Sequence, residues 1–287
     1  MRWLITGASG FLGANAVRQL SVNHDVVGLV RDANTAPWCD QKVTADLLAI
    51  DALERVVHEV EPEVVLHCAG MAHHGACQDN EDLAMRVNAQ ASGVLAAAAA
   101  RAGASFVYVS TDAVFSGARG WYTEDEPVSP NNAYGRSKAA GEEAVLAAHP
   151  GAVVARTNFF GWSPSGHRSI LEFFVRELGA GNRVPGFVDY TVTSLFVEDV
   201  VESLEQIVDS GESGVFHVVA SDALSKFDFG RSVAEEFDLD GSLIDESAVP
   251  GGAKDLSLRS DRLAELRGTP TPSQADGIVR ARESRRF

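Results

Sequence analysis

Three glycines between a short apolar run and a helical run constrain the fold of this 287-residue chain more than any other feature. Residues 3–6 predict a buried strand, Gly7, Gly10 and Gly13 follow, and an apolar run at residues 25–30 predicts the next strand. In such a unit the glycines permit a tight turn, let backbone N–H groups reach a pyrophosphate, and allow close helix–strand packing. We therefore expect a dinucleotide at this turn. Its other contacts there are predicted to be Ser9, Phe11 and Leu12.

The order of strand then helix repeats through about the first 160 residues. Further apolar strands are predicted at residues 42–45, 63–70 (with the turn), 105–110 and 152–156, and helices at residues 51–60, 79–102 and around Tyr134. Continuous apolar strands separated by helices indicate a doubly wound, Rossmann-type parallel sheet of the α/β class. Ligands bind at the carboxyl ends of such strands. There we expect Cys68, Ala69 and Gly70 to contact the cofactor.

The second half of the chain is less regular. It predicts helices at residues 170–178, 198–208 and 226–237, a loop at 179–186 and a strand at 215–219. We predict an NAD(P)-binding domain of residues 1–160, to which residues 190–220 return. A smaller C-terminal substrate-binding lobe is predicted to contain residues 161–189 and 221–287.

Composition excludes several partners. Lys and Arg number 24 and Asp and Glu 40, so the net charge of −16 argues against nucleic acid or an anionic membrane surface as partner. No apolar run is long enough to cross a bilayer. Three cysteines without a CxxC spacing favour a reducing, cytoplasmic setting. The group His67, Cys68, His73, His74 and Cys77 matches no standard zinc motif, so we predict no metal.

The residue after the second strand bears on the choice of cofactor. An acidic residue at the strand's tip binds the ribose 2′-OH of NAD, but here the strand ends at Val30 and Arg31 follows. A guanidinium binds a 2′-phosphate through charge-assisted hydrogen bonds. We therefore expect NADP(H), with NAD(H) kept as the alternative because Asp32 is near. Asp46 and Leu47 are expected beside the cofactor as well.

Tyr134 and Lys138 are four residues apart in a predicted helix and so share one face. An ammonium beside a phenol favours the phenolate and lowers the pKa of the tyrosine. This pair is therefore predicted to donate or accept a proton near neutral pH.

These segments together resemble the extended short-chain dehydrogenase/reductase superfamily, and within it the dTDP-4-dehydrorhamnose reductase family. The resemblance is detailed over about the first 160 residues and weak afterwards. The motifs that carry it are Gly7-x-x-Gly10-x-x-Gly13, Val87-Asn88-Ala89, Ser110-Thr111-Asp112-Ala113-Val114-Phe115, and Tyr134-Gly135-Arg136-Ser137-Lys138. The resemblance implies a catalytic triad of Thr111, Tyr134 and Lys138, a cofactor-side role for Asn88, a nucleotide-sugar substrate and a homodimer.

The residues after Thr111 separate reaction classes within that superfamily. Nucleotide-sugar 4,6-dehydratases carry Asp-Glu there, whereas this chain has Asp112-Ala113, which disfavours dehydration. We predict NADPH-dependent reduction of a keto group, at C4, of a nucleotide-diphosphate deoxysugar. The alternatives are an NAD-dependent epimerase and a non-catalytic, NADP-binding subunit that resembles the regulatory subunit of methionine adenosyltransferase. The predicted substrate contacts are Met71, His73, Thr111, Asp112, Ala113, Asn158, Arg168 and Arg183.

Overall fold

The computed structural model describes residues 1–284, and Arg285 and Arg286 lie outside the described residues. The strands in chain order are β1 (Arg2–Thr6), β2 (Asp25–Val30), β3 (Gln41–Thr44), β4 (Val64–His67), β5 (Ser105–Thr111), β6 (Val153–Thr157), β7 (Phe159–Phe160), β8 (Val184–Phe187), β9 (Tyr190–Val192), β10 (Leu195–Phe196), β11 (Gly214–Val218), β12 (Leu224–Ser225), β13 (Ile244–Ser247) and β14 (Lys254–Asp255). The helices are α1 (Phe11–Leu20), α2 (Ile50–Val60), α3 (His74–Asp79), α4 (Glu81–Met85), α5 (Ala91–Ala102), α6 (Ala133–Ala148), α7 (Ile170–Gly179), α8 (Val197–Ser210), α9 (Lys226–Glu236), α10 (Asp261–Arg267) and α11 (Gln274–Glu283).

A seven-stranded sheet in the order β11-β6-β5-β4-β1-β2-β3 forms the centre of the molecule, and its neighbouring strands are all parallel. Side chains alternate between two apolar layers: Trp3 and Ile5 pack into one, with α1 and α8, and Leu4 packs into the other, with α2 and α5. Burial on both faces explains why the inner strands are mostly apolar, whereas the edge strand β3 is polar. The predicted doubly wound parallel sheet is confirmed.

The strand order reverses between β1 and β4, which are neighbours in the sheet although two strands separate them in the chain. Crossovers to either side of such a point diverge and leave a crevice at the carboxyl ends of the strands. Gly7 follows β1 and Cys68 follows β4, so both segments face this crevice.

The helix predicted at residues 79–102 is confirmed from Glu81 to Ala102, but it is not one regular α-helix. Helices α3 and α4 meet at Asn80, whose side chain accepts a hydrogen bond from Leu83 N at 3.0 Å, and a π-helical turn, Arg86–Gln90, precedes α5. A π turn inserts one residue into the helical spiral and is not visible in apolar periodicity.

Small sheets lie outside the central one. β9 is the middle strand of a three-stranded sheet with β12 and β14, β8 pairs with β13, and β7 pairs with β10. The loop predicted at residues 179–186 is shorter than expected because β8 begins at Val184. Within residues 1–284, no helix has the length and apolar character that a membrane span requires.

Candidate active site

A cavity of about 810 Å³ opens at the carboxyl ends of β1, β4 and β5 and extends from the glycine turn to Tyr190. The polar ends of several strands and helices converge on it. Its lining includes most of the residues predicted from the sequence, namely Gly7, Ser9, Gly10, Phe11, Leu12, Gly13, Arg31, Asp46, Leu47, Cys68, Ala69, Gly70, Met71, Asn88, Thr111, Asp112, Ala113, Tyr134, Lys138, Asn158 and Arg168.

The glycine turn leaves room for a ligand and for close packing. Gly7 has φ +69°, and a Cβ there would lie 2.9 Å from the backbone of Ala69. A Cβ on Gly13 would lie 2.2 Å from the carbonyl oxygen of Gly7. Helix α1 begins without a side-chain cap at Gly10, so N–H groups of its first turn, which have no intrahelical acceptors, remain for an anion. These features fit a dinucleotide pyrophosphate.

Arg31 and Asp32 differ in what their side chains do. Arg31 is exposed and lines the cavity. Asp32 bonds within its own loop, where Oδ1 accepts from the backbone N of Asn34 at 2.9 Å and from Nδ2 of Asn34 at 3.0 Å. The cation is therefore the group that this loop presents to the cavity.

Asn88 lies in the π-helical turn and is almost fully buried. Its Oδ1 accepts from Met71 N at 2.7 Å, and its Nδ2 donates to Met71 O at 2.9 Å and to Ser137 Oγ at 2.9 Å. The amide thus fixes the loop after β4 against α6, the helix that carries Tyr134.

Thr111 and Tyr134 are brought together by two caps. Thr111 Oγ1 accepts from Ala113 N at 3.2 Å and caps the 3-10 turn Asp112–Val114, while Asn132 Oδ1 accepts from Gly135 N at 2.8 Å and caps α6. A Cβ on Gly135 would lie 2.1 Å from Ala113 O, so glycine permits this close approach. Burial raises the pKa of Tyr134, and a hydrogen bond with Thr111 acts in the opposite direction. Tyr134 is therefore a phenol that can donate a proton at neutral pH.

Lys138 departs from its predicted electrostatic effect. The sequence predicts that its ammonium lowers the pKa of Tyr134, but Nζ donates to Val109 O at 2.7 Å and lies 3.8 Å from the centre of the Tyr108 ring. The pKa of Tyr134 is instead above its usual value because of burial. Burial also lowers the pKa of Lys138 to about 7, and Glu142 opposes that shift.

A buried ion pair between Glu142 and Arg156 connects α6, the helix that carries Lys138, to the central sheet. Arg156 Nη2 lies 2.8 Å from Glu142 Oε2, and both side chains are about 95% buried. Ser110 Oγ also donates to Glu142. Glu142 is one helical turn after Lys138 and Ser110 precedes Thr111, so this network connects α6 to the strand that ends at the site.

Asp112 and Asn158 both line the cavity and are bonded to each other. Asn158 Nδ2 donates to Asp112 Oδ2 at 2.6 Å, and Asn158 Oδ1 accepts from Ser194 Oγ at 2.6 Å. Burial raises the pKa of Asp112, and the bonds from Asn158 and Thr111 lower it. The amide of Asn158 thus holds the carboxylate beside Thr111.

Two residues predicted as substrate contacts are not in the cavity lining. His73 caps α3, with Nδ1 accepting from Ala76 N at 3.2 Å. Arg183 forms an exposed ion pair with Asp245. The neighbouring His74 does line the cavity, and its ring centre lies 4.7 Å from that of Tyr134.

Tyr190 lines the cavity but does not follow from any sequence motif. It lies on β9, and the pairing of that strand with two distant segments is not coded in local periodicity. Lys226 lies against its ring, with Nζ 3.9 Å from the ring centre. The net charge of −16 does not indicate that a lysine lies beside this ring.

The parallel sheet, the glycine turn at its switch point and the Thr111, Tyr134 and Lys138 group together define an NAD(P)-dependent short-chain dehydrogenase/reductase of the extended type. More narrowly, the chain belongs to the family described as RmlD substrate binding domain, whose profile matches residues 1–281.

Individual relatives carry different roles. The chain is 33% identical to a "probable low-salt glycan biosynthesis reductase" of Haloferax volcanii, over 85% of this chain and 83% of that protein. It is 35% identical to a dTDP-4-dehydrorhamnose reductase of Mycobacterium tuberculosis, over 82% of this chain and 75% of that protein. It is also 30% identical to methionine adenosyltransferase 2 subunit beta of Mus musculus, over 91% of this chain and 80% of that protein.

The fold agrees with a solved structure of this group. The crystal structure of dTDP-4-dehydrorhamnose reductase from Bacillus anthracis, in complex with NADP, superposes with a TM-score of 0.86. The match covers 98% of each chain at 24% identity. At that identity the comparison shows the fold alone.

Proposed function

We propose that this protein uses NADPH to reduce a keto group, at C4, of a nucleotide-diphosphate deoxysugar. The observation that carries the proposal is the convergence of Thr111 and Tyr134 on the same cavity as an uncapped glycine turn. The names of the M. tuberculosis and H. volcanii relatives support a reductase acting in sugar metabolism.

Each residue has a defined part in this reaction. NADPH, when bound, supplies the hydride. Tyr134 donates its phenolic proton to the substrate oxygen as negative charge develops there, because burial keeps the phenol protonated at neutral pH. The Thr111 hydroxyl, which donates to Asp112 Oδ1 in this structure, would redirect that proton to the carbonyl oxygen of the substrate and so orient it. Lys138, which lines the same cavity, would bind the ribose hydroxyls of the nicotinamide nucleotide.

NADP(H) is the proposed cofactor and NAD(H) the alternative. The exposed guanidinium of Arg31 at the cavity supports a 2′-phosphate, while the carboxylate of Asp32 is occupied by Asn34. The glycine turn and the first turn of α1 would hold the pyrophosphate.

Reduction is favoured over the other reactions of the superfamily by the residues next to Thr111. Dehydration needs a second acid–base group, and the position after Asp112 is Ala113. Asp112 itself is held by Asn158 and Thr111, so it serves as a fixed acceptor for substrate hydroxyls. We further propose that residues 161–189 and 221–287 form the substrate lobe, that the protein is a homodimer, and that it works in the cytoplasm, where its free thiols stay reduced.

A second candidate is a non-catalytic, NADP-binding subunit. The 30% identity to methionine adenosyltransferase 2 subunit beta over 91% of the chain favours it. The position of the Tyr134 phenol and the Thr111 hydroxyl in one cavity argues against a non-catalytic role.

Incubation of the purified protein with NADPH and dTDP-4-keto-6-deoxyglucose separates these functions. Loss of the reduced-nicotinamide absorbance, with formation of the 4-hydroxy sugar, is the expected result. A new sugar formed without cofactor consumption would show an epimerase. Tight NADP binding without turnover of any keto sugar would show a binding subunit and overturn the proposal.

A further inference from the structure

The three-stranded sheet brings together three side chains that are far apart in the sequence. Lys254 of β14 is the direct register partner of Tyr190 on the middle strand β9. On the other side, Ser225 of β12 pairs with Thr191, so the next residue, Lys226, is level with Tyr190. Side chains directly opposite one another on neighbouring strands point to the same face. The sheet therefore places an ammonium on either side of one aromatic ring.

The distances confirm this arrangement. Nζ of Lys226 lies 3.9 Å from the centre of the Tyr190 ring, and Nζ of Lys254 lies 6.0 Å from it. All three side chains are half-buried, and Tyr190 lines the cavity. The two lysines thus flank a ring that lines the cavity, and neither is fully exposed on the open surface.

Both lysines lack a carboxylate partner. Among residues 1–284, neither ammonium has a carboxylate oxygen within 4.0 Å. Asp112 acts on Lys226 only at longer range, and its oxygens accept hydrogen bonds from Asn158 and Thr111. Two cations therefore flank one ring, and no direct ion pair within residues 1–284 neutralises either of them.

Lysine is rare in this chain. Lys42, Lys138, Lys226 and Lys254 are all the lysines in the chain. Burial lowers the pKa of His74, whose ring packs on Tyr134, and Lys254 and Lys226 lower it further. The field of both lysines therefore reaches the neighbourhood of the proposed proton donor.

We propose that Lys226, Tyr190 and Lys254 form an anion-binding subsite that holds a phosphate or carboxylate group of the substrate. The assignment rests on the proposed function, since it places a sugar nucleotide in the cavity. Two sources of such an anion exist: the diphosphate linker, and a carboxylate on the sugar. Arg183, which the sequence predicts as a substrate contact, is instead paired with Asp245.

Calorimetric titration tests the subsite without any turnover. The probes are dTDP and UDP, with thymidine and uridine as phosphate-free controls, and UDP-glucuronate against UDP-glucose for the carboxylate. The variants are Lys226→Met and Lys254→Met. Arg101→Met removes an equal charge from an exposed ion pair with Glu54 and serves as the matched control. NADPH affinity and the melting temperature report folding of each variant.

If the diphosphate is the bound group, each lysine variant weakens nucleoside diphosphate binding about ten- to hundredfold, while nucleoside binding and the control are unchanged. If a sugar carboxylate is the bound group, the loss is confined to UDP-glucuronate. Unchanged affinity for every probe in both variants overturns the subsite, as does wild-type protein that binds none of the probes. Absence of keto-sugar reduction with intact lysine-dependent binding would refute the reductase and leave the subsite standing.

Discussion

Nζ of Lys138 lies 3.8 Å from the centre of the Tyr108 ring, and the hydroxyl of the same tyrosine donates to Asn88 O at 2.8 Å. The face of the Tyr108 ring thus contacts the Lys138 ammonium, and the Tyr108 hydroxyl is fixed by its hydrogen bond to the π-helical turn. A desolvated cation–ring contact stabilises by about 2 kcal/mol. Tyr108 is therefore a positioning residue for Lys138, and it does not itself reach the cavity.

Replacing Tyr108 tests this arrangement. Tyr108→Phe keeps the ring, and we expect it to keep most of kcat and to lose only about 1 kcal/mol of folding stability with the hydroxyl. Tyr108→Leu removes the ring, and we expect kcat to fall about tenfold with a smaller change in the KM of the sugar substrate. Steady-state kinetics and urea unfolding measure both effects. Equal kcat in the two variants would show that the ring does not position Lys138.

Tyr134→Phe removes the proposed proton donor. Because general acid catalysis contributes about 10²- to 10⁴-fold, we expect kcat for keto-sugar reduction to fall by that factor. NADPH affinity, measured by fluorescence titration, is expected to persist. Tyr122→Phe is the matched control, since that buried hydroxyl accepts from Ala118 N away from the cavity. Undiminished reduction by Tyr134→Phe would refute the mechanism.

Arg31→Met tests the cofactor preference. Loss of a charge-assisted bond to a 2′-phosphate is expected to raise the KM for NADPH about ten- to hundredfold and to leave the KM for NADH nearly unchanged. Asp32→Asn retains the acceptor that holds Asn34 and is the control. An equal loss for both cofactors would mean that Arg31 does not recognise the 2′-phosphate.

Glu142→Gln tests the buried ion pair. The change leaves the guanidinium of Arg156 without its buried carboxylate, and we expect folding stability to fall by about 3–5 kcal/mol in urea unfolding. Glu54→Gln breaks an exposed pair with Arg101 and is expected to cost less than about 1 kcal/mol. If the two variants lose similar amounts of folding stability, burial does not make the Glu142–Arg156 pair more stabilising than the exposed pair.

Buried histidines make the fold sensitive to acid. Burial lowers the pKa of His67 and of His217 to about 3, with Lys138 and Arg156 respectively adding to the shift. Between about pH 3 and 6.5 the unfolded chain therefore binds more protons than the folded one. The stability that these histidines contribute is fully present above about pH 6.5 and is lost as the pH falls through that window.

His217→Gln measures one of these contributions. The slope of unfolding free energy against pH between pH 4 and 6 is expected to drop by about 1.4 kcal/mol per pH unit. Urea unfolding at several pH values gives that slope. His58→Gln, at an exposed position of α2, is the control. An unchanged slope in His217→Gln would show that this histidine is already protonated in the folded state.

The sequence predicts the cofactor half of the molecule well because its signals are local. Gly7, Gly10 and Gly13 lie within one turn, and the inner strands of the sheet are mostly apolar runs. The π-helical turn around Asn88 was missed, since one inserted residue leaves the apolar pattern of the helix almost unchanged.

The substrate half could be predicted only in part. Thr111 and Tyr134 come from motifs, but Tyr190 is placed by the register of β9 with β12 and β14, which join segments up to 64 residues apart. Arg183 was chosen for its charge, and its ion pair with Asp245 depends on the pairing of β8 with β13. Long-range strand pairing has no short sequence signature.

The segments that build the glycine turn share no residue with those that build the three-stranded sheet. Point mutations at Lys226 or Lys254 therefore alter one end of the cavity while the backbone around Gly7 and Gly13 stays as it is. Related proteins can in this way keep the same cofactor site and differ in the substrates that they bind. A different substrate range then needs only a few side-chain exchanges on a short strand edge, with no change at the glycine turn.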